Sequence, residues 1–289
     1  MTNSKSDHAK PVKTLTARQE MIESIKTVVY ALAIAFVIRT VLFQPYTIPS
    51  ASEQPNLYEG DYIIVSKWSY GYSRHSILFS PPLFSGRIFF QPPKRGDIVV
   101  FKLPHDGKTD YIKRLIGLPG DRIQLRHGQL YINDKALAEH VERTIETSDR
   151  GDGFGGMRHE TATVQTETNP EGRQYLTQVH GPEEQAGNTA VYVVPSRCYF
   201  MMGDNRNNSA DSRFDPDLMP EDPKLGGCGW DSRVDEAFTQ GGSGVGFVPE
   251  ENLVGKARII MLSWNEGAAL FKPWTWLDLR WDRFFHGLK

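Results

Sequence analysis

The sequence predicts a mainly β protein with an N-terminal single transmembrane helix, an antiparallel β body carrying a β-rich excursion, and a short C-terminal amphipathic helix. Three observations lead to this prediction. An uncharged apolar run, TVVYALAIAFVI, starts at Thr27. After Pro45 the hydrophobic residues alternate as in half-buried strands, and no long amphipathic pattern appears before Trp264. The last residues place aromatic and apolar side chains on one helical face.

The composition narrows the classes of function. The 289 residues are 39% hydrophobic and 11% aromatic, enough for one large or two small folded domains. A net charge of −2 without a basic stripe predicts no nucleic-acid partner. The two cysteines and eight scattered histidines show no zinc-ligand spacing, so neither a metal nor another cofactor is predicted.

The apolar run near the N-terminus has three interpretations. Extended past Arg39 to Phe43, it would form a helix of about 25 Å, against a hydrocarbon core of about 30 Å. A buried soluble helix, a cleaved signal peptide and an uncleaved signal anchor all fit such a run. We favour the anchor, because the small residues Ser50 and Ser52 lie too far beyond the run for a normal cleavage region.

Flanking charge predicts the orientation of this anchor. Residues 1–26 carry five Lys or Arg and three acids, and a positive flank stays in the cytoplasm. The predicted organisation, in chain order, is a cytoplasmic tail (1–20), the transmembrane anchor (21–44), the first part of the catalytic core (45–138), a β-rich excursion or cap (139–190), the second part of the core (191–265) with a long loop (214–244), and a C-terminal membrane-interface segment (266–289).

Several segments of the body have the alternation or β-branched content of strands. They are DYIIVSKW (61–68), GDIVVFKLP (96–104), DYIKRLIGLPGD (110–121), the hairpin RIQLRHGQLYIND (122–134), VYVVPSRCYFMMGD (191–204) and LVGKARIIMLSW (253–264).

The C-terminal segment has two interpretations. It is either a helix docked on the core or a helix lying in the membrane interface, where Trp is favoured. The second interpretation makes membrane lipid a partner. The shared apolar face consists of Leu277, Trp281, Phe284, Phe285 and Leu288.

The stretch IPSASEQPNLYEGD (48–61) holds two small hydroxyls, Ser50 and Ser52. A serine nucleophile needs a base, and no histidine or GxSxG motif stands in a recognisable relation to it. A lysine can serve instead, because burial disfavours the charged amine. In YIKRLI, Lys113 and Arg114 must point to opposite faces of a strand. Arginine stays charged, so Lys113 is the candidate for the buried face.

Each of these features also has a purely structural interpretation. The serines would suit a turn that leaves a helix, and a Lys-Arg pair is common on an edge strand. The polar segment GDNRNNSADSRF (203–214) could orient a lysine amine, or it could be a polar turn.

Taken together and in order, the motifs resemble bacterial signal peptidase I, the type I leader peptidase. They are PSASEQPNL with GDYIIVSKW, then RGDIVVF, YIKRLIGLPGD and GDNRNNSADSR. The later stretch VGFVPEENLVGKA is also similar to that family. The resemblance covers about residues 20–135 and 190–265.

The resemblance implies a serine endopeptidase of the bacterial inner membrane, with a cytoplasmic N-terminus and a periplasmic catalytic body. Its substrates would be exported preproteins, whose signal peptides it removes after small residues at −3 and −1. By position, Ser52 matches the nucleophile and Lys113 the general base. Ser50 matches the oxyanion-hole residue and Ser209 the residue that orients the lysine. The other implied residues are Asp204, Asp211 and Arg213 for structural support, and Ile48, Pro49, Leu57, Tyr111 and Ile112 for substrate binding.

The sequence departs from the family pattern at three positions. Glu53 stands where the family has Met, Asn56 replaces Thr, and Asn207 replaces Asp. A carboxylate beside the nucleophile could keep Lys113 protonated or polarise the substrate pocket. Three alternatives therefore stay open: a non-catalytic membrane-anchored homologue, a Ser-Lys peptidase dedicated to a specialised substrate, and a β-rich structural protein of the envelope.

Cys198 and Cys228 are the two cysteines of the chain. In an oxidising compartment they are expected to pair and to close a loop of about thirty residues, which would stabilise the fold by roughly 3–4 kcal/mol. The alternative is a buried free thiol at Cys198.

Overall fold

A computed structural model describes residues 16–150, 157–181, 186–219, 221–229, 244–265, 273–275 and 277–288. The chain divides into two compact units, residues 1–39 and 40–289. The first unit contains the N-terminal helix and the second contains the β body.

The N-terminal helix α1 spans Ala17–Val37 and continues as a π-type turn over Ile38–Leu42. Its start is capped by Thr16 and Gln19, which bond each other's backbone N–H groups in a capping box. The stretch is long and apolar enough to cross a membrane, with a mean hydropathy of 1.9 over its most apolar window. None of its described residues is buried, which favours the predicted anchor over a buried core helix.

The described residues of the body form fifteen strands and no α-helix. In chain order the strands are β1 (Phe43–Thr47), β2 (Asp61–Ser66), β3 (Ile98–Lys102), β4 (Asp110–Gly117), β5 (Arg122–Arg126), β6 (Gln129–Ile132), β7 (Lys135–Ala136), β8 (Ala138–Arg150), β9 (Met157–Thr168), β10 (Gln174–Val179), β11 (Tyr192–Val193), β12 (Cys198–Met202), β13 (Val248–Pro249), β14 (Leu253–Ser263) and β15 (His286–Gly287).

All strand pairs are antiparallel, which confirms the predicted mainly β class. The largest sheet has the order β1-β2-β14-β3-β4-β12-β13, with β15 added beside β14. A four-stranded sheet has the order β11-β5-β6-β7, and the excursion forms a three-stranded sheet, β10-β9-β8. The excursion is therefore β-rich, which agrees with one of the two forms predicted for it.

The structure differs from the predicted strands at two places. Residues 43 and 44 belong to β1 and not to the anchor, because Pro45 disfavours helix before it and is tolerated on an edge strand. The segment 191–204 forms two strands, β11 and β12, which join different sheets. The prolyl residue Pro195 lies between them and supplies no ladder N–H.

The C-terminal segment is not the predicted amphipathic helix in the described residues 273–275 and 277–288. It contains two short 3₁₀ turns and strand β15. Tertiary contacts override the helical periodicity: Arg283 pairs with Asp61, and the Leu288 N–H donates to the Arg258 carbonyl. Phe285 has a φ of 55°, which a right-handed helix does not allow.

Cys198 and Cys228 form a disulfide with a Cα–Cα distance of 5.7 Å, which confirms the predicted pair. Both residues are buried in one core cluster, which also contains side chains of β5 and β6. The bridge fastens the first part of the 214–244 loop to the body. Residues 220 and 230–243 of that loop lie outside the described residues.

A buried histidine gives the body an expected acid sensitivity. His75 is 5% exposed, and burial followed by repulsion from Arg74 lowers its pKa from 6.5 to about 4. Between these values the unfolded chain binds a proton that the folded chain does not, so stability falls as the pH drops through this window. We expect His75→Gln to avoid about 1–2 kcal/mol of that loss, after discounting for solvent screening.

Thermal unfolding in detergent at pH 7 and at pH 4.5 measures this difference. The wild type should lose more of its Tm between the two values than His75→Gln does. If both proteins lose the same Tm between the two pH values, the prediction is contradicted. A constant difference between their Tm values would then reflect packing alone.

Candidate active site

Ser52 lies on a short 3₁₀ turn, Ala51–Glu53, between β1 and β2. The segment after β12 holds this turn by its backbone. The Asn205 N–H donates to the Ser52 carbonyl at 3.1 Å, and the Asn205 side chain donates to the Ala51 carbonyl at 3.3 Å. The Ser52 side chain is therefore placed by residues that lie about 150 positions later in the chain.

Lys113 projects from β4 toward this turn. Its Nζ donates to the Ser52 Oγ at 2.6 Å and to the Ile112 carbonyl at 2.9 Å. Ser52 is 8% exposed and Lys113 is 4% exposed, so water is largely excluded from the contact. The structure thus brings together the two residues that the sequence motifs single out.

Arg114 is also buried, on the opposite face of β4, which differs from the expectation that only Lys113 would be covered. Its guanidinium donates to both carboxylate oxygens of Asp204, at 2.6 and 2.7 Å, and lies 4.3 Å from the Tyr175 ring. Asn56 donates to the same carboxylate at 2.7 Å. The pair links β4 to the segment after β12 and so fixes Lys113 relative to Ser52.

Ser209 is buried beside the Ser52 turn, but it does not bond Lys113 in this structure. Among the described residues, its Oγ has no hydrogen-bond partner. Gly203 permits the close approach here: a Cβ at this position would overlap the Ser209 Oγ and lie 2.6 Å from the Ser52 carbonyl oxygen.

Asp211 and Arg213 form a second buried ion pair behind the site. The Arg213 guanidinium donates to both Asp211 oxygens at 2.8 Å, and the Gly203 N–H donates to the same carboxylate at 3.0 Å. Burial alone would raise the pKa of Asp211, but the Arg213 charge and these hydrogen bonds hold it below its usual value. The pair therefore keeps the turn after β12 in one conformation at neutral pH.

Glu53, the neighbour of Ser52, is the unexpected member of the site. Its side chain is fully buried, with Oε1 3.8 Å from the Lys113 Nζ. Neither carboxyl oxygen has a hydrogen-bond partner among the described residues. Burial, followed by the negative charge of Asp204, raises the pKa of Glu53 well above its ordinary value, although Lys113 acts in the opposite direction.

The remaining predicted residues surround the pair at different depths. Ser50 Oγ lies 3.4 Å from Ser52 Oγ. Pro49 is exposed, whereas Tyr111 and Ile112 are half-buried on β4. Ile48 is 3% exposed and Leu57 is fully buried in the core, so these two side chains support the surface from beneath.

Sequence reasoning missed two contacts that join the excursion to the site. Arg206 pairs with Glu167 of β9 at 2.6 Å, and the Gln178 N–H of β10 donates to the Asp204 carbonyl at 2.8 Å. Arg206 lies in the GDNRNNS motif, which the sequence analysis singled out. Its partner Glu167 lies in the excursion, where no motif marks it.

A buried serine hydroxyl bonded to a buried lysine amine, on an antiparallel β body, defines a candidate serine hydrolase. Comparison with known proteins then gives the family. The family described as "Signal peptidase, peptidase S26" matches residues 21–264. The chain belongs to this family.

Two relatives from Rickettsia agree with that assignment. Signal peptidase I from Rickettsia massiliae (strain Mtu5) is 36% identical, with 98% of this chain and 97% of the relative aligned. Signal peptidase I from Rickettsia typhi (strain ATCC VR-144 / Wilmington) is 37% identical, with 90% of each chain aligned. A crystal structure of a signal peptidase I from Enterococcus faecalis V583 is 22% identical, covers 57% of this chain and 97% of its own, and has a TM-score of 0.27.

The resemblance that the motifs indicate is therefore confirmed. The protein is a hydrolase, a serine peptidase of the kind that cleaves signal peptides, and its N-terminal apolar helix suggests that it is membrane-anchored. Among the described residues, no group of three or more His, Cys, Asp or Glu side chains could hold a metal ion.

Proposed function

We propose that Ser52 is the nucleophile and Lys113 the general base of a peptidase that releases exported proteins from their signal peptides. One observation carries the assignment: the Lys113 Nζ and the Ser52 Oγ lie 2.6 Å apart and both side chains are buried. Distances of this length permit direct proton transfer. A lysine amine accepts such a proton in its uncharged form.

The proposed reaction has two stages. In the first, the Lys113 amine takes the Ser52 hydroxyl proton while Oγ attacks the carbonyl carbon of the −1 residue, and the resulting ammonium then protonates the leaving amine. The mature protein departs and leaves its signal peptide esterified to Ser52. In the second stage Lys113 takes a proton from water, the hydroxide attacks the ester, and Ser52 regains its proton as the signal peptide leaves.

Negative charge on the carbonyl oxygen must be stabilised in both stages. Ser50, whose hydroxyl lies 3.4 Å from the Ser52 Oγ, is the proposed side-chain contributor, together with backbone N–H groups of the turn. A donor of this kind typically lowers the barrier by about 3 kcal/mol. Ser209 remains the proposed orienting hydroxyl, and it would have to rotate toward the Lys113 amine when substrate binds.

The proposed substrate contacts explain a preference for small residues at −3 and −1. Pro49, Tyr111 and Ile112 present apolar surface beside Ser52, while Ile48 and Leu57 fill the space beneath. A surface supported by a close-packed core has little room for large side chains. Asp204, Asp211 and Arg213 do not contact the substrate in this proposal. They support the site through the ion pairs that hold the turn after β12.

Membrane attachment follows from the same proposal. The apolar helix would anchor the protein in the bacterial inner membrane with the N-terminus in the cytoplasm and the body in the periplasm, as the flanking charges predict. The C-terminal segment is a second proposed lipid contact, although it is not helical. Trp274, Leu277, Trp281 and Phe285 are each more than two-thirds exposed, and such aromatic clusters favour the interface.

A peptidase dedicated to one specialised substrate is the second candidate function. The departure at Glu53 favours it, because a carboxyl group buried beside the nucleophile changes the chemistry of the site. A non-catalytic homologue fits less well, since the contact between Ser52 and Lys113 is intact.

Cleavage of a defined preprotein tests the proposal. We expect the purified full chain in detergent to cleave a secretory preprotein after an Ala at −1, and to leave the same preprotein uncut when that Ala is replaced by Phe. The N-terminus of the product, measured by mass spectrometry, locates the cut. Failure on a panel of secretory preproteins, together with cleavage of a single unrelated substrate, would favour the dedicated peptidase. No cleavage of any substrate would refute both.

A further inference from the structure

A polar cleft of about 400 Å³ lies between the three-stranded excursion sheet and the turn that joins β5 to β6. Glu139 of β8, Gln165 of β9 and His180 after β10 line it from the excursion, and residues 127–129 line it from the turn. None of these residues belongs to the site described above. The space is called here the excursion cleft.

The excursion cleft is lined by a buried polar side chain that the protein leaves without a partner. Gln165 is 8% exposed, and its side-chain amide has no hydrogen-bond partner among the described residues. Its cross-strand neighbour Thr177 lies on the same face of the sheet, is fully buried, and has a hydroxyl that is unpartnered among the same residues. Because buried polar groups are almost always hydrogen-bonded in folded proteins, this pair indicates a place for a polar ligand.

The charge of the excursion cleft favours a cationic ligand. Among the described residues that line it, Glu139 is the one acid and none is Lys or Arg. Glu139 lies opposite Glu167 in the β8–β9 register, and Glu167 already pairs with the buried Arg206. Desolvation, followed by the negative charge of Glu167, raises the pKa of Glu139 to about 7. A cation bound beside Glu139 would lower that pKa again and gain an anionic partner.

Hydrogen bonds connect the excursion cleft to the Ser52 turn. The Asn205 N–H donates to the Ser52 carbonyl at 3.1 Å, and Asn205 pairs with Gln178 of β10 through a short parallel bridge. Two residues after Gln178, the His180 N–H donates to the Asn207 side chain at 2.7 Å. With about 4.8 Å between neighbouring strands and about 3.3 Å per residue, the cleft lies roughly 12–16 Å from Ser52.

We propose that the excursion cleft binds a basic side chain in the first residues of the mature part of the preprotein, with Glu139 as its anionic partner. The inference rests on the proposed function. The side chain of Ser52 contacts Lys113 of β4, where the −1 and −3 residues are proposed to bind, and its carbonyl contacts Asn205. The mature part would therefore continue past Asn205 toward β10. An extended chain of about four or five residues covers the distance to the cleft.

Substrate variants test the charge preference. One preprotein receives Lys, Gln or Glu at each position from +2 to +8, and kcat/KM is measured with the full chain in detergent. We expect Lys to exceed Gln by about 2- to 5-fold in one window near +4 to +6, as for an ion pair open to solvent, and Glu to fall below Gln. Equal rates for the three substrates at every position would overturn the proposal.

Variants of Glu139 separate the effect of its charge from an effect on folding. Glu139→Gln should make the Lys and Gln substrates equal in this window, and Glu139→Lys should reverse the preference toward Glu. The control Glu146→Gln, which removes an exposed carboxylate elsewhere on β8, should keep the preference for Lys. A preference that survives Glu139→Gln, or that does not reverse in a Glu139→Lys protein of normal Tm, would contradict the assignment.

The pH dependence of the preference gives an independent measurement. In the wild type, the ratio of the Lys rate to the Gln rate should rise from pH 6 to pH 8, because Glu139 loses its proton across this range. Effects of pH on Lys113 and Glu53 act on both substrates alike and cancel in the ratio. His127 and His180 also line the cleft, so the rise in Glu139→Gln measures their contribution. Equal rises in the two proteins would assign the preference to the histidines and refute the role of Glu139.

Crosslinking locates the mature part without requiring cleavage. In a full chain that carries Ser52→Ala, p-benzoylphenylalanine replaces Thr163, which lines the cleft, or Glu146 as the control. Photolysis with the preprotein should join position 163 to residues about +3 to +7 and give no product at position 146. Crosslinks confined to the signal peptide, or equal yields at the two positions, would overturn the proposal. If the crosslinks form as expected but the wild type cleaves no preprotein, the cleft contact stands and the proposed function fails.

Discussion

Replacing Lys113 with alanine is expected to lower kcat/KM for preprotein cleavage by about 10²–10⁴-fold, the range typical of losing a general base. The Ser52 hydroxyl would lose the amine that lies 2.6 Å away and that, in the proposed mechanism, accepts its proton. Ser52→Ala should remove cleavage altogether, because no oxygen is left to form the acyl-enzyme. Initial rates on one preprotein, at a pH where the wild type is fully active, measure both effects.

Matched controls separate chemistry from folding. Lys135 and Ser196 are exposed residues of the same types, so Lys135→Ala and Ser196→Ala should keep normal rates. Lys113→Met, which retains an unbranched side chain of similar length, should be as inactive as Lys113→Ala while its Tm stays near that of the wild type. Near-normal turnover by Lys113→Met would exclude the lysine as the base.

The alternation of side chains along a strand predicted part of the site correctly. It placed Lys113 and Arg114 on opposite faces of β4, as the structure has them. It could not predict that both would be buried. The cover over Arg114 comes from Asp204 and Tyr175, far along the chain, and their meeting depends on how the excursion sheet packs on the main sheet.

The C-terminal segment shows the opposite case. Its clear local pattern predicted a helix, which the described residues do not form. Apolar residues at helical spacing favour a helix only when no stronger contacts compete. Here Arg280 donates to the Glu59 carbonyl, Arg283 pairs with Asp61, and β15 adds to β14. The partners of the two arginines lie about 220 positions earlier in the chain, and nothing in the segment itself identifies them.

Glu53 shows both what the sequence could predict about the site and what only the structure reveals. The sequence identified it as a departure beside the nucleophile, but its burial and its distance from Lys113 required the structure. Since Glu53 is fully buried without a hydrogen-bond partner among the described residues, its charge state depends on its neighbours. The charge of the Glu53 carboxyl group then determines the electrostatic potential at the Lys113 amine.

Substituting Glu53 with Gln is expected to move the pH–rate profile to lower pH, because it removes a carboxyl group that can become an anion close to the Lys113 amine. Burial raises the pKa of Glu53, so the carboxyl group holds its proton to unusually high pH. Once ionised, it places a negative charge 3.8 Å from the Lys113 Nζ and favours the ammonium form. That form cannot accept the Ser52 proton, so the wild type needs a higher pH to reach full activity.

The test compares kcat and KM across pH for the wild type, Glu53→Gln, Glu53→Met and the control Asp134→Asn. Asp134 carries a carboxylate whose side chain is 60% exposed, so its removal should leave the profile in place. Glu53→Gln keeps the shape of the side chain and Glu53→Met introduces the residue that the family pattern implies. If Glu53 sets the charge of Lys113, both Glu53 variants should shift the midpoint of the pH–rate profile in the same direction. Their limiting kcat values should be similar. If both profiles overlay that of the wild type, the carboxyl group does not act on the base, and Glu53 contributes to packing alone.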